Sequence, residues 1–266
     1  MKIRTTIVSM IAGLTVLAGT AFAQIDISDV PQLEDGVFTV AMSGEYPPFS
    51  MPAEEGGLEG FDADVALALG DVLGVEVEIE QAQFSGIIGG VQAGRFDASI
   101  ASHARTPARE QSVAFLSEPY YYGGGQFFAP ADSEYDDWEE ILDAGGTIAV
   151  DRGGTNQQWL EDNGYGDSVA TYSGVPTSLQ AIRAGQAQAI FTNPIVGNQA
   201  FRSSGMDMKP VSGLVFEENA WITVASGSDE LKAVLEEALN TLRENGTLLE
   251  ISEEWVGGDI VTPPSE

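Results

Sequence analysis

Short apolar segments alternate with helical segments along this chain, and this alternation restricts the fold more than any other feature. The first predicted elements are a strand over residues 36–41, a helix over 62–73, a strand over 75–80, a short helix from a Ser85 N-cap to Ala93, and a strand over 96–101. Strands that alternate with helices in this way predict an α/β fold with a mainly parallel sheet.

The same alternation begins again after residue 130. The predicted elements are a strand over residues 147–150, a helix over 155–163, a helix over 176–184, a strand over 189–192, a strand over 221–225, and a long amphipathic helix over 229–245 that Gly246 ends. Two α/β units of about 90 residues favour two lobes over one large sheet. Residues 259–266, which contain two adjacent prolines, are expected to form a flexible tail.

The N-terminus has the pattern of a secretory signal. Lys2 and Arg4 precede an apolar run over residues 7–17, and the segment ends in Ala21-Phe22-Ala23. The run is shorter than the roughly 20 apolar residues that cross a bilayer. Residues 1–23 are therefore predicted to be a signal peptide. Because the chain has no cysteine to accept a lipid, we expect a periplasmic protein without a lipid anchor.

Acidic residues outnumber basic residues almost four to one. The 266 residues include 41 Asp and Glu and 11 Lys and Arg, a net charge of −30, which becomes −32 without Lys2 and Arg4. Nucleic acids and anionic membrane surfaces are recognised by basic patches, so neither is an expected partner. With 43% hydrophobic residues the chain can still bury a core, which indicates a folded globular protein.

Sequence patterns typical of enzymes are missing. The chain contains no cysteine and a single histidine, His103, and it has no phosphate-binding loop, zinc-binding helix motif or nucleophile elbow. A histidine-based metal site needs more than one such residue, and a catalytic triad would depend on His103 alone. We therefore expect no metal ion and no cofactor.

Basic residues are informative because they are scarce. Arg105, Arg109 and Arg152 follow predicted strands, at the positions where α/β sheets bind ligands. The alternative for each is a surface ion pair with one of the many carboxylates.

Two loops are further candidates for a binding site. Residues 153–156 (GGTN) precede a predicted helix, so their backbone N–H groups can hold a carboxylate, although an ordinary capped turn has the same pattern. Tyr46 and Phe49 lie between the first strand and the first helix, where they can form the aromatic wall of a pocket or pack in the core.

Six motifs occur in the order found in one protein family. They are residues 44–49 (GEYPPF), 60–66 (GFDADVA), 92–98 (QAGRFDA), 105–109 (RTPAR), 118–121 (EPYY) and 241–247 (TLRENGT). From about residue 38 to residue 257, the chain resembles the extracellular solute-binding proteins of polar amino-acid ABC importers. The resemblance implies a two-lobed type II periplasmic binding protein fold, with two mainly parallel sheets joined by two hinge strands. Lobe 1 is expected over residues 36–122 plus 219–258, and lobe 2 over 127–214.

The resemblance also implies a function and a set of ligand-binding residues. A monomeric receptor is expected to close around a small carboxylate-bearing or zwitterionic solute and to deliver it to a membrane permease. Arg109 matches the arginine that binds the ligand's α-carboxylate. Ser102 matches a hydroxyl position on the same carboxylate, and Thr155 matches the second lobe's Thr at a helix start. Tyr46 and Phe84 match aromatic residues beside the ligand side chain.

Several positions depart from the family pattern. Asn193 stands where amino-acid binders place an Asp for the α-ammonium group, and Glu45 is a candidate substitute anion. His103 and Arg105 are unusual in their loop. Arg105 is a candidate for binding a second acidic group of the ligand, the alternative being that both side chains point outward.

Two other functions are compatible with parts of the sequence. Residues 43–49 and 153–156 also resemble the periplasmic cyclohexadienyl dehydratases, which share this fold. The position that matches their catalytic Glu is Val196, and valine cannot transfer a proton, so we expect a binding protein and no enzyme. A sensor module that presents ligand to a receptor is the third hypothesis, which the sequence does not separate from transport.

Overall fold

The computed structural model describes residues 25–263, so the predicted signal peptide over residues 1–23 lies outside the described residues. Within residues 25–263 the structure has twelve strands. They are β1 (Val37–Met42), β2 (Met51–Pro52), β3 (Leu58–Glu59), β4 (Glu76–Gln81), β5 (Ala98–His103), β6 (Val113–Phe115), β7 (Tyr121–Pro130), β8 (Ile148–Asp151), β9 (Val169–Tyr172), β10 (Ala189–Thr192), β11 (Met208–Pro210) and β12 (Phe216–Ala225).

Helices follow most of these strands. They are α1 (Phe61–Leu73), α2 (Phe84–Gln92), α3 (Pro107–Glu110), α4 (Trp138–Asp143), α5 (Thr155–Asp162), α6 (Val175–Arg183), α7 (Pro194–Ser204), α8 (Asp229–Glu244) and α9 (Thr247–Val256). No helix within residues 25–263 combines the length and the apolar composition needed to cross a membrane.

The main sheet has parallel ends and an antiparallel centre. Its strand order is β4-β1-β5-β12-β7-β10-β8-β9, with β6 paired to β12 and β11 paired to β7. Strands β4, β1 and β5 are parallel, as are β10, β8 and β9. We call the β4-β1-β5 end, with its helices, the first half and the β10-β8-β9 end the second half. The long strands β7 and β12 pair with each other and join the two halves.

The sequence pattern does not predict β7. Three consecutive glycines, Gly123 to Gly125, lower the strand propensity of this segment. The packing explains them, because a Cβ atom on Gly123 would lie 2.6 Å from Nδ2 of Asn193 and one on Gly124 would lie 2.6 Å from the carbonyl oxygen of Phe216. The glycines therefore let the two crossing strands approach closely.

Helix α8 has the apolar face that its sequence predicts. The residues at that spacing are buried, namely Leu231, Val234, Leu235, Ala238, Leu239 and Leu242. Gly246 adopts a positive φ of 85°, but the chain turns there and continues as α9, which was not predicted. The Ser85 N-cap was also wrong, because α2 begins at Phe84 and Ser85 lies inside it.

The C-terminal segment packs against the sheet as far as it is described. The backbone N–H of Tyr122 donates a hydrogen bond of 2.8 Å to the carbonyl oxygen of Ile260, and Val261 is 7% exposed. These contacts anchor residues 260–261 of the predicted flexible tail beside β7. Residues 264–266 lie outside the described residues.

Close packing of α1 on β4 leads to a first prediction. Gly70 and Gly89 both lie inside helices, where replacing Gly by Ala normally stabilises by up to about 1 kcal/mol. A Cβ atom on Gly70 would lie 2.2 Å from Cγ2 of Val77, whereas one on Gly89 would meet no atom within 4 Å. We expect Gly70→Ala to lower the free energy of unfolding by about 1–3 kcal/mol in urea denaturation. Gly89→Ala is the control and should be neutral or stabilising; equal effects of the two variants would contradict this packing.

Candidate ligand-binding cleft

A cleft lies where the carboxyl ends of strands from both halves meet, the usual place for ligands in α/β sheets. It encloses about 510 Å³ of empty space, part of it open to solvent. Residues at or after the ends of β1, β4 and β5 line one side, residues at or after the ends of β8 and β9 line the other, and Glu218 is on β12, which joins the halves. The lining residues are Ser43, Glu45, Tyr46, Phe84, Ser102, Ala104, Arg109, Asp151, Gly154, Thr155, Asn156, Ser173, Gly174 and Glu218.

Arg109 projects into the cleft from the short helix α3. Thr106 caps this helix, since its Oγ1 accepts a hydrogen bond of 3.2 Å from the backbone N–H of Arg109. The guanidinium donates to the carbonyl oxygen of Ala104 at 2.8 Å and to that of Gly153, in the second half, at 3.0 Å. It forms no ion pair with any of residues 25–263. Its remaining N–H groups are available to an anion.

Ser102 is held in a strained conformation at the edge of the cleft. Its φ of 55° is positive, a conformation that only glycines share among residues 25–263. The backbone N–H of Ser102 donates to the Tyr120 hydroxyl at 2.8 Å, and its Oγ donates to Oδ2 of Asp62 at 3.1 Å. The Tyr120 hydroxyl donates in turn to Oδ1 of Asp62 at 2.7 Å. Burial raises the pKa of Asp62 to about 8, although both hydrogen bonds oppose that shift. This network fixes the strained residue.

Two aromatic rings line the cleft, and a third lies behind them. Tyr46 and Phe84 are lining residues, and the Arg109 guanidinium carbon lies 5.6 Å from the centroid of the Phe84 ring. Phe49 is fully buried and stacks on Tyr121 with ring centroids 4.6 Å apart. The loop therefore contributes one wall residue and one core residue.

His103 is placed in the core behind Phe84 and does not line the cleft. The two rings stack with centroids 4.5 Å apart, and Nδ1 of His103 is 2.9 Å from Oγ of Ser99. Burial, and then the neighbouring Arg109, lower the pKa of His103 well below its ordinary value. His103 is therefore a neutral support for Phe84.

Arg105 and Asn193 are also outside the cleft. Arg105 forms an ion pair with Glu110 at the end of α3 and lines a separate groove, so the structure does not bring it to the predicted second acidic group of a ligand. Asn193 is 4% exposed, and its Oδ1 accepts a hydrogen bond of 2.8 Å from the backbone N–H of Ile195 as the N-cap of α7. Local contacts occupy both side chains.

The remaining predicted residues lie in or beside the cleft. Glu45 and Thr155 are lining residues. Arg152 lies farther out, in an adjoining space that Glu45 and Phe84 also line, and its Nε is 3.4 Å from Oγ1 of Thr171. Arg152 is thus at the mouth of the cleft, while Arg109 is inside it.

Two carboxylates in the cleft were not identified from the sequence. Glu218, on β12, accepts a hydrogen bond from the Thr155 hydroxyl; burial raises its pKa, which Thr155 and the nearby Arg109 oppose. Asp151 ends β8, and burial, followed by the neighbouring Glu45, raises its pKa to about 7. With 41 acidic residues in the chain, the sequence offers one signal for Asp151 alone, namely its position directly after a predicted strand.

Comparison with known proteins places this chain in one family. The model of the bacterial extracellular solute-binding proteins, family 3, matches residues 38–258. The chain belongs to this family. Its fold is that of the type II periplasmic binding proteins, as the sequence predicted.

Three relatives illustrate the range of this solute-binding family. The L-cystine-binding protein TcyJ of Escherichia coli K12 is 27% identical over 259 residues, which cover 95% of this chain and 93% of that protein. The cyclohexadienyl dehydratase of Pseudomonas aeruginosa is 26% identical over 228 residues, 84% of each chain. The structure of an ancestral arginine-binding protein bound to glutamine has a TM-score of 0.78 and 29% identity, and covers 84% of this chain and 98% of its own.

The Ser102 network generates a second prediction. Tyr120→Phe removes a hydroxyl group and leaves both the Ser102 N–H and an Asp62 oxygen without a partner. An unsatisfied buried polar group costs about 1–3 kcal/mol, so we expect the melting temperature to fall by about 3–10 °C. The control is Tyr122→Phe, whose hydroxyl has no hydrogen-bond partner among the described residues and whose loss should change little. Similar melting temperatures for the two variants would show that the network does not stabilise the fold.

Proposed function

We propose that this chain is the periplasmic receptor of an ABC importer and that it binds an amino acid through Arg109. The observation that carries the proposal is a guanidinium inside the cleft of a solute-binding protein with N–H donors free for an anion and no carboxylate in contact. A planar guanidinium binds a carboxylate through two parallel hydrogen bonds. The hydroxyl groups of Ser102 and Thr155 line the same cleft, where they donate to Asp62 and Glu218, so each would have to exchange that hydrogen bond in order to donate to the ligand's carboxylate.

Glu218 is the proposed partner of the ligand's α-ammonium group. Its carboxylate is near enough to influence the pKa of Arg109, yet the two side chains form no ion pair within 4 Å. Opposite charges that line one cleft without forming an ion pair suit a zwitterion, whose carboxylate and ammonium groups would each meet the opposite charge. Asn193 is not needed for this role, because its side chain caps α7.

The two halves are proposed to move as lobes over residues 36–122 plus 219–258 and over 127–214. The boundaries fall on β7 and β12, the strands that join the halves. The hydrogen bond from Arg109 to Gly153 crosses the cleft and would form on closure. The closed monomer would then present a surface to its permease, after secretion and removal of residues 1–23, with no nucleic acid, metal or cofactor taking part.

A dehydratase activity is not proposed, although one relative is a cyclohexadienyl dehydratase. Val196, at the position expected for the acid, is fully buried within α7 and carries no proton-transferring group. The proposed role is therefore capture without chemical change.

Removal of the guanidinium tests the main proposal. With a ligand at about 100 times its Kd, binding adds about 2.7 kcal/mol, or a rise in melting temperature of about 5–10 °C. A thermal-shift panel of amino acids and their deaminated analogues should identify such a ligand. Arg109→Ala should weaken its binding by roughly thirtyfold to several thousandfold, because the carboxylate loses its charged partner.

The control is Arg105→Ala, which removes an arginine four residues away that pairs with Glu110 outside the cleft. This variant should keep the affinity of the parent protein. The proposal fails if no member of the panel shifts the melting temperature, or if Arg109→Ala binds as tightly as the parent.

Discrimination between an amino acid and its deaminated analogue tests the role of Glu218. The parent should prefer the amino acid, and Glu218→Gln should lose most of that preference by weakening the amino acid alone, by about tenfold or more. Glu217→Gln is the control, since Glu217 is the exposed neighbour on the same strand. Isothermal titration calorimetry measures the affinities; an unchanged preference in Glu218→Gln would exclude Glu218 as the ammonium partner.

A further inference from the structure

Besides Arg109 and Glu218, the cleft contains two further acidic residues, Asp151 and Glu45. The proposed binding of the amino-acid head group does not use them. Asp151 belongs to the second half and Glu45 to the first half, and both line the cleft. Neither carboxylate forms an ion pair with any of residues 25–263. The lining therefore has one guanidinium against three carboxylates, an excess of negative charge that a single zwitterion leaves uncompensated.

Asp151 has an unsatisfied oxygen. Its Oδ1 is shielded from solvent and has no hydrogen-bond partner in the described part of the chain. An unpaired buried carboxylate is costly, and a site that contains one is incomplete without a donor. Arg152 follows Asp151 directly in sequence, but its guanidinium is directed to Thr171 and does not meet this oxygen.

Glu45 is fixed against the opposite half. A Cβ atom on Gly174 would lie 2.6 Å from both Cβ and the carbonyl oxygen of Glu45, and 3.1 Å from its Oε2. The absence of a side chain at position 174 thus lets the Glu45 carboxylate enter the space beside Asp151. The proximity of Glu45 is also one of the two causes of the raised pKa of Asp151.

We infer that Asp151 and Glu45 form a subsite for an ammonium or guanidinium group on the ligand side chain, so that the receptor selects cationic amino acids. This inference rests on the proposed function, because the head group is taken to occupy Arg109 and Glu218. The aromatic ring of Tyr46 lines the same cleft as Asp151 and Glu218. The side-chain stem of the ligand would pass along this ring.

Because Asp151 and Glu45 lie on opposite halves, the pair affects the closure of the cleft. Two carboxylates that approach each other across a closing cleft repel, and the repulsion grows as water leaves. A cation between them replaces that repulsion with attraction on both sides. A ligand with a neutral side chain leaves the repulsion in place.

Matched ligands test the subsite without any change to the protein. Arginine and citrulline have similar shapes but only arginine carries a side-chain cation, and lysine and norleucine form a second such pair. In calorimetry with the full mature chain, we expect the cationic member of at least one pair to bind roughly tenfold to a thousandfold more tightly. The subsite is overturned if citrulline and norleucine bind as tightly as arginine and lysine.

Substitutions test whether Asp151 and Glu45 cause the preference for a cationic side chain. Asp151→Asn and Glu45→Gln should each reduce the preference for the cationic member while the neutral member keeps its affinity, which also shows that the variant is folded. Glu55→Gln, an exposed residue of the same connection between β1 and α1, is the control and should keep the preference. A preference that survives Asp151→Asn would contradict the assignment. Binding of the neutral amino acids alone would leave the proposed function intact and remove the subsite, whereas no binding of any amino acid would overturn both.

Discussion

The antiparallel pairing of β7 with β12 is the contact on which the binding cleft depends. The chain leaves the first half along β7 and returns along β12, so these strands belong to both halves of one continuous sheet. Glu218 pairs with Gly123 at this crossing, and a Cβ atom on Gly123 would approach the Glu218 carbonyl oxygen to 3.0 Å. The close approach of two backbones therefore sets the position of one cleft carboxylate relative to Arg109.

Whether the sequence predicts an element depends on whether the signal for that element lies in neighbouring residues or in contacts with distant ones. Helix α8 and strand β10 match the sequence prediction nearly to the residue, because apolar composition is a local signal: α8 buries the face that its apolar spacing defines, and β10 is a short apolar run buried along its whole length. Strand β7 was missed because its glycines serve contacts with distant residues, and α9 was missed because Gly246 was interpreted as an end when it is a turn between helices. Local sequence patterns therefore predict single helices and strands well, and they predict poorly the segments whose glycines serve tertiary contacts or turns.

The site shows the same division. Arg109 was identified because cations are rare in this chain and its motif is specific. Asp151 and Glu218 were not identified, because acidic residues are abundant and only tertiary contacts decide which of them lose their water. Asn193 and Arg105 were assigned to the ligand from their positions in motifs, but a helix cap and an ion pair with Glu110 occupy their side chains.

Two sets of charges bear on the proposed capture of a ligand: the net charge of the whole chain and the charged side chains inside the cleft. A net charge of −32 on the chain without residues 1–23 attracts cations and repels anions, although salt limits that field to roughly 8 Å at physiological ionic strength. Inside the cleft, Arg109 holds the halves together through the Gly153 carbonyl oxygen, while Glu45 and Asp151 present like charges across the same gap. The cleft thus contains one attraction and one repulsion between its sides. Under the proposed function, a solute that brings a carboxylate to Arg109 and a cation to the acidic pair would add to the first and reverse the second, so its charge pattern, more than its size, would decide whether the closed form is stable.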